Sequence, residues 1–334
     1  MRVRSLFYAV LFLFAWSYCF AQTFTITDLG TLAGGDLSGA HAINASGQIT
    51  GFAGNTDGSD AVFRYSNGVM TSLGTLGGSV GTGTSINSSG QIAGYSTNST
   101  TYRAFITHGD TLVDIGDLGG GSATAYAIND QGVVVGNSYL ADDEIHPFLY
   151  SNGTMIDLGT LGSNQPGWWN SAQGINKSGA VVGISYAADG NFFGFVWRKG
   201  KMYKLGTLGG LWSDATAIND KGQITGQAYT KDGLAHAFIT QGTRLIDLGT
   251  IDGGSSSLWG FGINNAGVVV GQSTFKDTYH AFVYANGKIR DLNKLIPTGS
   301  GWTLLSANGI NDKNQIVGVG MHNGQEHAFL LTLR

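Results

Sequence analysis

Histidine and aspartate recur along this chain at matching positions. His146, His236, His280 and His327 each open a His-x-Phe triplet, and Asp28, Asp114, Asp157, Asp247 and Asp291 each precede a Leu or Ile. Imidazole and carboxylate are the groups of general acid-base catalysis and of zinc ligation. Neither chemistry is expected from these copies. Zinc needs ligands within about 2.0 to 2.3 Å of one ion, whereas side chains held in separate repeats stand apart, so the histidines read as packing at strand starts and the aspartates as bonding local backbone. No metal and no cofactor is expected. A second chemistry is offered by Trp168, Trp169, Trp212, Trp259 and Trp302, rings on which a sugar could stack while nearby carboxylates accept its hydroxyls.

Placing these residues requires the repeat that carries them. Ile-Asn occurs at Ile43, Ile86, Ile128, Ile175, Ile218, Ile263 and Ile310, a period of about 44 residues, the length of a four-stranded propeller blade. A Leu-Gly-Thr-Leu signal and the His-Ala-Phe signal each recur with the same count, the latter ending at Phe63, Phe105, Phe148, Phe195, Phe238, Phe282 and Phe329. Each unit resolves into four short β runs. Asn-x-x-Gly separates the first from the second, with Asn314 replacing that glycine in the last copy, and Asn67-Gly68, Asn152-Gly153 and Asn286-Gly287 join the third to the fourth.

In the first run the residues one and three before the Ile are all Ala, Gly or Ser, so a regular strand would have one face stripped bare, as suits the crowded axis of a radial array. Beyond the first 21 residues the chain opens with a fourth-type run, Phe24 to Leu32, and it closes with a third-type run, His327 to Leu333. Joined, they complete one sheet. The expected architecture is therefore all-β: a seven-bladed β-propeller of four antiparallel strands per blade, residues 22–334 as one domain, closed by pairing of the N-terminal strand with the C-terminal blade.

On such a wheel the fourth-to-first and second-to-third connections share a face. The tryptophans would meet loops carrying Asp57, Asp142, Asp143, Glu144, Asp189, Asp232 and Asp277. Trp169, Trp212, Trp259 and Trp302 stand an even number of residues before their Ile, which in a regular strand gives them the side of the divergent slot His41, Thr84, Tyr126, Gln173, Thr216, Phe261 and Asn308. Trp169, Trp212, Trp259, Trp302, Asp214, His41 and Tyr126 are the candidate ligand-binding residues, and no catalytic residue is assigned. Two other motifs read as incidental. Gly77-Gly78-Ser79-Val80-Gly81 matches the nucleophile-elbow pattern without a strand-to-helix setting, and Asn55 to Asp60 resembles a calcium loop without its distal Glu.

These motifs resemble the HAF-repeat family of predicted extracellular bacterial proteins, through His236-Ala237-Phe238, His280-Ala281-Phe282 and His327-Ala328-Phe329 together with the Asp-Leu-Gly-Thr-Leu-Gly-Gly and Ala-Ile-Asn-Asp-x-Gly patterns. Ala61, Arg103 and Phe193 replace the histidine in other copies. The resemblance implies export and a propeller-like repeat, and brings no catalytic residues. The blade grammar is also similar to that of WD40 propellers, without the Trp-Asp dipeptide.

Composition narrows the function. With 54 Gly and 3 Pro among 334 residues, 42% apolar and 12% charged, the chain is neither collagenous nor disordered. Arg2 and Arg4 before an apolar run that ends near Cys19-Phe20-Ala21 read as a secretory signal over residues 1–21, with acylation of Cys19 the weaker alternative. Cleavage would remove the single cysteine, so no disulfide holds the protein, and would leave a net charge of -6 with no basic stripe for nucleic acid and no membrane span. The expected product is a secreted or periplasmic monomer, a non-enzymatic binding or adhesion module whose Trp face meets a glycan or a cell-surface protein. The alternatives are a hydrolase or lyase with His41, Asp214 and Tyr126 at the axis, and a passive scaffold.

Overall fold

A computed structural model describes residues 23–162, 169–251, 258–276 and 278–334, so the signal segment 1–21, Trp168 and Asp277 lie outside the described residues. The chain forms seven four-stranded antiparallel meanders arranged as a propeller. Blade one covers residues 38–74, blade two 81–114, blade three 119–157, blade four 171–204, blade five 209–247 and blade six 258–291. Blade seven combines Trp302–Ile310, Ile316–His322 and Gln325–Leu333 with Phe24–Asp28, which pairs from Phe24 against Leu333 to Asp28 against Phe329. The termini do close one sheet, as the offset of the repeat requires.

The turn chemistry holds at each expected position. Gly222 donates its N–H to the Asn219 carbonyl at φ 79°, and Asn314, in the same place of the last copy, adopts φ 57°. A left-handed residue is needed there, and Asn is the side chain that tolerates it best.

Each blade is built on a phenylalanine. Phe63, Phe105, Phe148, Phe195, Phe238, Phe282 and Phe329 are all fully buried, so the third letter of His-Ala-Phe is the core. Each faces a glycine of the second strand, as Phe238 faces Gly226. Here a side chain has no room: a Cβ on Gly226 would lie 2.0 Å from the Asp214 carbonyl oxygen. A β-bulge interrupts the first strand of every blade, between Ala215 and Ala217 in blade five.

The bulge falls on the divergent slot of His41, Tyr126 and Gln173, and it overturns the expectation of one bare face. An extra residue shifts the side-chain alternation. Gly174, one before its Ile, faces Ala217 of the next blade, whereas Gly83, three before, faces Thr50 of the preceding blade. The first strand is thus pared down on both flanks, because it is wedged between two neighbours at the hub. The even spacing of the tryptophans likewise fails to fix their side, since the bulge lies between them and the Ile.

Candidate functional site

The recurrent histidines and aspartates turn out to be partners. Nδ1 of His146 lies 2.9 Å from Asp157, and the same contact joins His236 to Asp247 and His280 to Asp291 across the third and fourth strands. The aspartates also bond local backbone, as expected, accepting the N–H of Gly159 and of Gly249. Asp157 holds the His146 imidazole above its usual pKa. Where histidine is replaced, the cross-strand contact persists: Arg103 bonds the same recurrent aspartate, Asp114, and in blade four Phe193 lies beneath the Lys204 ammonium, which stands in the aspartate's place, at 3.2 Å. The members of each pair stand 11 residues apart, a constant spacing that was visible in the sequence and marks a cross-strand contact.

Blade seven departs from this pattern. Its histidine, His327, reaches Asp28 on the N-terminal strand at 3.0 Å, and a second imidazole, His322, reaches the same carboxylate at 2.9 Å. Burial works against the Asp28 charge, but the Gly30 N–H and the two imidazoles outweigh it and leave the carboxyl below its ordinary pKa. Trp302 stacks on His322 with ring centroids 4.5 Å apart and planes 4° from parallel.

A cavity of about 240 Å³ opens at the axis where the first strands end, lined by the seven Ile-Asn pairs and the residues after them. Its asparagines are already engaged. Asn44 donates from Nδ2 to the Asn87 carbonyl at 3.0 Å, Asn87 to Asn129, and so on through Asn176, Asn219, Asn264 and Asn311, which returns to Asn44 at 3.0 Å. Meanwhile each Oδ1 accepts backbone N–H groups two and four residues on, as Asn219 does from Lys221 and Gln223. A closed belt of seven inter-blade bonds therefore seals one end of the hub. Sequence reading assigned these asparagines to turns and missed the belt, because its bonds join residues a whole repeat apart.

His41, Asp214 and Tyr126 all sit on first strands at the hub, each engaged by its own neighbours. His41 bonds the Gly83 backbone and packs on the Phe52 ring 5.6 Å away; burial lowers its pKa to about 4, keeping it neutral at pH 7. Asp214 accepts from Gln173 Nε2 at 3.0 Å, and burial raises its pKa to about 6. Burial also raises the Tyr126 phenol, which bonds Thr124 and Asn137 and feels the Asp214 charge.

Because the folded pKa of Asp214 exceeds its unfolded value, its protonated form favours folding below about pH 4, and that advantage is lost as the pH rises through about 6. Asp214→Asn keeps an acceptor for Gln173 and removes the cost of ionisation. It is expected to stabilise the protein by about 1 to 3 kcal/mol at pH 8 and by nothing near pH 4, the difference read from paired urea unfolding curves.

At the opposite end of the hub lie the tryptophan-bearing connections. Trp169 is 65% exposed just ahead of blade four. Trp212 instead leans on Tyr229 of its own blade, 5.3 Å between centroids, and Trp302 on His322 and Phe329. Trp259 pairs its backbone with Gln272 in blade six, and its side chain lies outside the described residues. Sequence reading missed the tyrosines that accompany them. Tyr102 of blade two, Tyr139 of blade three, Tyr229 of blade five and Tyr279 of blade six are exposed at this same end, with Leu211 at 71%. Asp142, Asp143, Asp189 and Asp232 are exposed in the intervening loops. The other large exposed apolar residues described, Val69, Val113, Ile156 and Tyr203, belong to outermost strands.

The two incidental motifs behave as such. Gly81 of the nucleophile-like pattern begins a β-strand rather than a helix. Asp57 turns back to accept both the N–H and the hydroxyl of Ser59.

The fold is that of a seven-bladed β-propeller. The β-propeller domain of the Trilobed protease from Pyrococcus furiosus, described as having an open velcro topology, superposes with a TM-score of 0.60 at 12% identity over 89% of this chain and 94% of that one. YCF48 bound to D1 peptide gives 0.55 at 9% identity over 93% and 95%. Acylaminoacyl peptidase of Pyrococcus horikoshii gives 0.54 at 12% identity, over 88% of this chain and 52% of that one. No family model and no curated protein matches the chain.

Proposed function

We propose that this protein is an exported HAF-repeat propeller that binds an extended, hydroxyl-rich ligand, a glycan chain, across its tryptophan-bearing face. One observation carries the reading: five successive blades, two to six, each present an exposed aromatic ring at the same end of the hub, namely Tyr102, Tyr139, Trp169, Tyr229 and Tyr279. Tyrosine and tryptophan bury large area at little entropic cost, and an arc with one ring per blade suits a ligand that repeats along its length. The exposed carboxylates between the rings supply acceptors for hydroxyl groups. His41, Asp214 and Tyr126 are each hydrogen-bonded by hub residues and, in this reading, serve the hub rather than a reaction. Export through residues 1–21 and action as a monomer belong to the same proposal.

Trp fluorescence and retention on immobilised glycans test it, with a panel of surface proteins alongside. Wild-type protein is expected to retain at least one polysaccharide. Tyr139→Ala, Trp169→Ala and Tyr279→Ala together should weaken binding at least about tenfold with melting unchanged, since each ring is exposed. Undiminished binding by the triple variant would remove the face from consideration, and retention by a surface protein alone would replace the glycan.

A further inference from the structure

We propose that Asp28, His322 and His327 form a binding site for a divalent transition-metal ion, best matched by Zn2+, that ties the two ends of the chain together. The site goes beyond the glycan reading and depends on different residues. It also departs from the expectation that the protein holds no metal, which was argued from the repeated histidines; His327 is one of these, and His322 is the addition.

Comparison between blades isolates what is new. His322 stands four residues beyond Gly318 on the second strand, and the corresponding positions are Asn55, Asn98, Leu140, Ala187, Thr230 and Phe275. In blade six, Phe275 covers the repeat histidine, stacking on His280 at 4.4 Å. In blade seven an imidazole takes that place and turns its Nδ1 to the carboxylate that already holds His327. Two neutral imidazoles and a carboxylate are the donor set of borderline ions such as Zn2+, and the nitrogens disfavour Mg2+ and Ca2+.

The geometry suits such an ion. The three ligand atoms lie within 4.8 Å of one another, and both Nδ1 atoms are 2.9 to 3.0 Å from Asp28 Oδ2. Tetrahedral zinc, with bonds of about 2.0 to 2.1 Å, sets its ligands roughly 3.3 Å apart, a small adjustment from these contacts. Supporting groups are in place. The Gly30 N–H holds Asp28 Oδ1 at 2.8 Å; His327 Nδ1 lies 3.0 Å from both carboxylate oxygens, and Oδ2 is the one that both imidazoles reach. Asn323 Nδ2 lies 3.1 Å from His322 Nε2; a half-turn of this exposed carboxamide on metal binding would bring its oxygen to the Nε2 N–H and leave the Nδ1 lone pair for the ion. Side-chain exposures of 31%, 23% and 15% for Asp28, His322 and His327 leave the fourth position to water. Asp28 comes from the first strand of the chain and both histidines from the last two, so a bound ion crosslinks the seam.

The test uses untagged protein stripped with a chelator, to which Zn2+ is added while heat of binding, Trp fluorescence and melting temperature are followed; Co2+ provides an absorption spectrum. Wild type is expected to bind one Zn2+, with a change in Trp302 emission and a melting temperature raised by several degrees at saturation. His322→Phe and His327→Phe install the residue types that blades six and four carry in those slots. Each should melt like wild type without metal and lose at least about tenfold in affinity together with the thermal shift. Failure of wild type to bind, or equal binding by both variants, overturns the site.

Discussion

Deletion of residues 23–32 is expected to abolish cooperative unfolding rather than lower its midpoint by a few degrees. The segment supplies the fourth strand of blade seven, and its removal strips the Gln325–Leu333 strand of five paired residues. It also removes Phe24, buried in the cluster of blade seven, and Leu29 and Leu32, buried against Phe63 of blade one. Burying such side chains is worth about 1.5 to 3 kcal/mol each. Their loss with the ladder rivals the roughly 5 to 15 kcal/mol that holds a typical domain together. The newly bared edge is a template for another chain. Calorimetry of the truncated protein should show a broad or absent transition, and light scattering should show association. A single sharp transition within a few degrees of the intact protein would mean that the ring does not depend on its seam.

Phe238→Ala is expected to cost about 3 to 5 kcal/mol, whereas His236→Ala, two residues away on the same strand, should cost no more than about 1 kcal/mol. The contrast follows from what each side chain touches. Phe238 is fully buried among Val182, Ala215, Ile224 and Leu245, and Gly226 opposite has no side chain to collapse into the space. His236 pairs with an Asp247 carboxylate that is 42% exposed. Urea unfolding of both variants measures the difference. Equal losses would show that the polar pair, and not the ring, carries the blade.

Much of this architecture was legible because each repeat states its own strands and turns. The blade number, the Asn314 exception and the shared sheet of the two termini follow from local patterns read against a fixed period, and the structure contains each of them. What escaped was the relation between strands. The bulge at His41 and its equivalents inserts a residue that no alternation of side chains announces, so counting in twos wrongly gave the first strand one bare face and could not fix the side of the tryptophans. The His-Asp pairs are legible in their constant spacing of 11, which only a comparison of the two residue types across repeats brings out. The belt of asparagines could not be seen from one repeat, since its donor and acceptor belong to different blades. The aromatic arc was half legible: tryptophan drew notice by its rarity, while the tyrosines of the same face were lost among 13.

The asparagine belt bears on how such a molecule can grow. Every unit brings both a plug, its side-chain amide, and a socket, the carbonyl of the same residue, and both have one form throughout. A duplicated stretch of gene therefore arrives ready to dock between any two existing members, with neither neighbour needing to be refashioned. The limit on how many can join is set by the angle each wedge subtends, not by the matching of individual contacts.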